Sequence, residues 1–62
     1  MILELTAPIV DDRTENLYVN TDNITYMFKT YLGTEIVFGK RTFTITVVET
    51  PEHIMEMIKD AS

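Results

Sequence analysis

Nothing in these 62 residues can staple a fold covalently. There is no cysteine, and the single histidine, His53, cannot complete a Cys/His metal cluster. Positive charge is scarce as well: five Lys and Arg stand against ten Asp and Glu, a net charge of −5. That balance argues against direct nucleic-acid binding, where neutralisation of phosphates by Lys and Arg dominates affinity, and against an anionic membrane surface. No apolar run approaches the ~20 residues of a membrane span. The opening Met1-Ile2-Leu3-Glu4 lacks the basic flank and long apolar stretch of an export signal, so a cytoplasmic protein is expected. The Asn23-Ile24-Thr25 sequon is accordingly read as chance. Repeats, linkers and low-complexity segments are missing too.

What is present is apolar. Hydrophobic residues make up 45% of the chain, with three Tyr, three Phe and four Met, far more than a disordered chain of this charge carries. One domain over 1–62 is expected. A core of this size contributes only about 3–5 kcal/mol. A chain without staples is therefore expected to bury further apolar surface against itself or another protein.

Alternation predicts the strands. Ile2 to Thr6 and Leu17 to Val19 read as short strands, separated by a polar loop from Ala7 to Asn16 that holds Pro8 and Asp11-Asp12-Arg13. Asn20-Thr21-Asp22-Asn23 follows, four residues whose side chains cap turns. From Ile24 the period-two signal strengthens: Ile24, Tyr26 and Phe28 alternate with Thr25, Met27 and Lys29. Thr34 to Phe38 is a further strand, and Thr42 to Val48 the longest, with Phe43, Ile45 and Val47 on one side. A two-residue Gly39-Lys40 turn would pair Phe38 with Arg41, Ile36 with Phe43 and Thr34 with Ile45. A three-residue Tyr31-Leu32-Gly33 loop would pair Phe28 with Ile36 and Tyr26 with Phe38, both inward, and set Lys29 opposite Glu35 on the outer face. Under that register Met27 and Val37 pair outside.

The last segment predicts a helix. Thr50 is a natural N-cap, Pro51 suits the first helical position, and Glu52 meets the positive end of the dipole. Ile54, Met57, Ile58 and Ala61 form one apolar stripe. The expected fold is α+β: an antiparallel β-meander of four to five strands with one C-terminal helix packed on it.

Chemistry finds little footing. His53 falls in the first helical turn with no nucleophile near it in sequence, and Asp11-Asp12 diverge on a polar loop. Gly33 and Gly39 are isolated turn residues and form no phosphate-cradling motif. No catalytic residues, metal ligands, cofactor or small-molecule substrate are expected, and the chain is read as non-enzymatic.

Three surfaces are candidates for binding instead. The first is the outer sheet face, with Met27, Val37, Thr42, Thr44, Thr46 and Val48 as protein-interface residues. The second is an acidic strip, Glu52, Glu56 and Asp60, spaced four apart on the helix and suited to docking on a basic partner. The third, Lys40-Arg41, holds too few charges for a nucleic-acid footprint. The strand from Phe43 carries no inward charge or proline, so at a sheet edge it invites pairing with a second copy.

The order of these features resembles the small flagellar FlbD family, the SwrD-type swarming-motility proteins. The resembling stretches are Ile2-Leu3-Glu4-Leu5-Thr6, Leu17-Tyr18-Val19-Asn20-Thr21-Asp22-Asn23-Ile24, and Val37 to Phe43 leading through Val47-Val48-Glu49-Thr50-Pro51-Glu52-His53-Ile54. The sequence departs from that family where Ala7 replaces a basic residue and Asn20-Thr21-Asp22 replaces Asn-Pro-Asp. The loop from Ala7 to Asn16 is also longer. The carbon-storage regulators open on a similar strand, but their paired arginines are replaced here by Ala7-Pro8. The resemblance implies a role in motility.

The readings that follow are a homo-oligomeric accessory protein that binds itself or another protein, a small phage-type inhibitor whose acidic residues mimic nucleic acid, and a structural virion or filament component.

Overall fold

The structure, a computed structural model, describes residues 1–8, 12–39 and 43–61. These residues form five antiparallel strands in two sheets and one C-terminal helix, an α+β fold. Strands β1 (Ile2–Thr6) and β2 (Asn16–Asn20) pair in one sheet, with Leu3 opposite Val19 and Leu5 opposite Leu17. Strands β3 (Ile24–Thr30), β4 (Gly33–Phe38) and β5 (Phe43–Val47) form a three-stranded meander, and helix α1 spans Pro51–Ala61. The longest strand is β3, not the segment from Thr42 to Val48.

Local chemistry explains the joints. Asn20 Oδ1 accepts the Asp22 N–H at 3.1 Å and caps a single 3-10 turn, Thr21–Asn23, that carries the chain from one sheet to the other. Thr50 Oγ1 accepts the His53 N–H at 3.1 Å, the N-cap bond expected of it. Glu52 in the first turn and Lys59 in the last oppose the helix dipole as they should.

Both registers in the meander differ from expectation. Thr30 pairs with Gly33, Met27 with Ile36 and Tyr26 with Val37, so the β3–β4 turn has two residues, Tyr31-Leu32. Lys29 lies opposite Thr34, and Phe28 opposite Glu35. The cause is twofold. The turn is one residue shorter than predicted, and an irregularity between Ile24 and Tyr26 inserts an extra residue into β3. One extra residue reverses the side to which all later side chains point. Ile24 and Met27 therefore share the inner face, while Tyr26 and Phe28 point outward. The Thr25 hydroxyl, donating to the Gly39 carbonyl, ties down the irregular residue. In the second hairpin Phe38 pairs with Phe43, Ile36 with Ile45 and Thr34 with Val47. That is a shift of two residues from the predicted pairing, so the faces of β4 and β5 are unchanged.

The core lies between the sheets. Leu3, Leu5, Val19, Ile36, Val47 and Ile54 are buried together, with Met27, Ile45, Met57 and Ile58 packed around them. Helix α1 and the β1–β2 sheet thus cover the inner face of the meander. Ala61, expected on the apolar stripe, is exposed. A polar clasp closes the layer. Thr6 gives its N–H and hydroxyl to the Glu49 carboxylate at 2.9–3.1 Å, and the Val48 N–H reaches the Thr6 carbonyl at 2.9 Å. Thr34, the one buried polar side chain among the described residues, donates to the Glu49 carbonyl at 2.6 Å. Its hydroxyl is therefore satisfied where an unpaired one would be costly.

Candidate protein-interaction surface

The outer face of the meander is built from the strands upward. Alternation sends Tyr26 and Phe28 of β3, Glu35 and Val37 of β4, and Thr44 and Thr46 of β5 to the side away from the core. Val37 is only 3% exposed, yet it stands apart from the core cluster. Tyr26 and Phe28 stack with ring centroids 6.2 Å apart and remain 41% and 43% exposed. The result is a small apolar platform with Glu35 as its single charged residue among those described.

Of the interface residues predicted from sequence, Val37, Thr44 and Thr46 lie on this face. Met27 does not: the reversed register turns it inward against Ile36, where it packs on the core. Tyr26 and Phe28 take its place, two aromatics that sequence alternation had assigned to the interior. Val48 lies beyond the end of β5 and is exposed in a bend. Thr42, Asp11 and the cationic pair Lys40-Arg41 lie outside the described residues. Glu52, Glu56 and Asp60 are all exposed along α1, and His53 is exposed in its first turn.

A second apolar feature went unpredicted. Between β2 and the Phe38–Phe43 end of the meander runs an open groove of about 380 Å³, floored by Leu17, Val19, Phe38, Phe43 and Ile45. Phe43 packs its ring 5.7 Å from that of Phe38 but is still 60% exposed. Sequence pattern alone could not reveal this groove, because its walls come from two sheets whose relative placement no periodicity encodes.

Beside the groove, the Tyr18 hydroxyl donates to Glu4 Oε2 at 3.0 Å, and Asn16 Nδ2 reaches the same oxygen at 3.4 Å. Accepting that bond, and standing nearby as a negative charge, Glu4 holds the Tyr18 phenol above its ordinary pKa. Among the described residues no group of three or more His, Asp or Glu is placed to hold a metal ion. No helix among them is long and apolar enough to cross a membrane.

No family model matches this sequence, and neither a curated protein nor a solved structure matches it.

Proposed function

We propose that this chain is a non-enzymatic, cytoplasmic accessory protein that associates with a second copy of itself through the outer face of the β3–β4–β5 sheet. One observation carries the reading: Tyr26 and Phe28 stack and stay half exposed on the same side of the sheet as Val37, which stands outside the core cluster. Charge favours a second copy there. Two molecules of net charge −5 repel over most of their surfaces, and least where, among the described residues, Glu35 is the single charge. Two such faces would meet as packed sheets do, with side chains interdigitating.

Area sets the strength. Three strands of this length present a face of about 17 by 14 Å, or about 240 Å². Stable interfaces bury about 800 Å² per partner. The association is therefore weak and concentration-dependent. Sedimentation velocity over a wide concentration range should show reversible, concentration-dependent association, with Phe28→Lys weakening it at least tenfold. A monomer at every concentration overturns the reading, as does an unaltered equilibrium in Phe28→Lys. An accessory part in flagellar motility belongs to the same proposal, supported by the FlbD-type resemblance.

A second reading rests on the exposed Glu52, Glu56 and Asp60 of α1. In it the helix docks on a basic protein surface as a nucleic-acid mimic, and reversing Glu56 to Lys abolishes capture by that partner.

A further inference from the structure

We infer that this protein also associates head to tail, the Tyr31-Leu32 tip of one copy seating in the apolar groove of the next. The inference goes beyond the face-to-face contact, because it uses neither Tyr26 nor Phe28.

The tip is unusual in its side chains. Two-residue hairpin turns favour Asn, Asp or Gly, because the primed turn types need φ > 0 at one or both central positions. Here a tyrosine and a leucine occupy those positions, and neither has a positive φ; the positive angle falls on Gly33 instead, at 140°. The Thr30 hydroxyl, accepting the Leu32 N–H at 3.2 Å, helps hold the bend. The monomer gains nothing from the tyrosine side chain, which is 96% exposed, and only part of what the leucine offers, which is 48% exposed. A fully exposed tyrosine beside a half-exposed leucine is the kind of pair that interfaces favour.

The groove complements that pair. An enclosed apolar cavity of about 150 Å³ takes up a benzene ring, so about 380 Å³ has room for a phenol ring and an isobutyl group. Its floor is apolar, and Asn20 and Asn23 on its rim offer amides to the tyrosine hydroxyl. Charge agrees as well. Lys29 is exposed two residues before the tip. Asp22, which lies 3.6 Å from the N-terminal ammonium but is 79% exposed, borders the hollow that adjoins the groove and shares Phe38 and Phe43 with it. Tip and groove lie at opposite ends of β4, about 17 Å apart along the strand, so no molecule fills its own groove. A contact between different patches propagates into open chains unless the rotation closes a ring.

The test uses the Phe28→Lys protein, in which the face contact is silenced. Sedimentation velocity should still show residual association, with species larger than dimers at high concentration. Replacing the tip (Tyr31→Asn with Leu32→Gly, an ordinary hairpin turn) should weaken it at least tenfold. Phe43→Glu should do the same from the groove side, with far-UV circular dichroism reporting the fold of each variant. Mixed together, the tip variant and the groove variant should form a one-to-one heterodimer and nothing larger, since only one productive pair of surfaces remains. Should Phe43→Glu unfold, the tip variant mixed with the Phe28→Lys protein must instead terminate the chains. A Phe28→Lys protein that is monomeric throughout overturns the head-to-tail contact and leaves the face contact standing. Association that survives the tip replacement also overturns it.

Discussion

The two faces of the β3–β4–β5 sheet come from the same three strands and differ in almost every physical respect. The inner face carries Met27, Ile36, Ile45 and Val47, joined to Leu3, Leu5 and Ile54 across the core. The outer face carries Tyr26, Phe28, Val37, Thr44 and Thr46 and buries only Val37 completely. Both faces hold apolar residues, so hydrophobicity does not tell them apart. What separates them is whether a second layer lies on top. A sheet hydrophobic on two sides, with the described residues layering only one of them, has one face left for a partner.

That contrast can be broken from either side. The largest effect is expected inside. Ile36→Ala should cost about 2–5 kcal/mol, comparable to the whole stability of a chain this small. It should leave the protein largely unfolded in circular dichroism, whereas Phe28→Ala on the other face should shift the monomer's denaturation midpoint only slightly. Equal losses would erase the distinction between the faces.

Gly33→Ala tests the hairpin that joins β3 to β4. A side chain there must adopt φ near 140° and would run into the Val47 carbonyl, with the Val48 carbonyl oxygen 2.8 Å away. Strain of this kind costs about 1–3 kcal/mol before the clash is counted, so a fall of about 3 kcal/mol or more in urea unfolding is expected. Thr34→Val keeps the shape of the inner face but strips the Glu49 carbonyl of its donor. A loss of about 1–3 kcal/mol is expected. If the variant is as stable as the parent, the clasp contributes nothing.

The smallest effect lies outside the comparison's core, on the β1–β2 sheet. With its folded-state pKa raised, Tyr18 favours the neutral phenol. Its bond to Glu4 therefore stabilises the fold below the ordinary tyrosine range and is lost as pH rises through the raised value. Tyrosinate absorbance should show a phenol ionising above the ordinary tyrosine range, and Glu4→Ala should bring that step down.

Much of the architecture was legible in the pattern of residues. The opening strand, the turn capped by Asn20, the Thr50–Pro51 start of α1 and the α+β class all follow from short-range chemistry, and all are present. The faces of β4 and β5 were legible too, because their error in register was two residues and parity survived. The face of β3 was not. Its apolar residues, Ile24, Met27, Tyr26 and Phe28, occupy both parities, and the irregular residue at Thr25 switches between them without any mark in composition. Val37, Thr44 and Thr46 therefore do face away from the core as the alternation predicts, whereas Met27 faces inward and Tyr26 and Phe28 outward, the reverse of the expected sides.

By itself, then, the chain determined which segments become strands and helix, since propensity, capping and alternation act over a few neighbouring residues. Only the tertiary structure decided which side of β3 meets the core, and that a groove opens between β2 and β5. Both outcomes depend on how separate segments pack on one another, and packing balances contacts between residues far apart in sequence that no local pattern records.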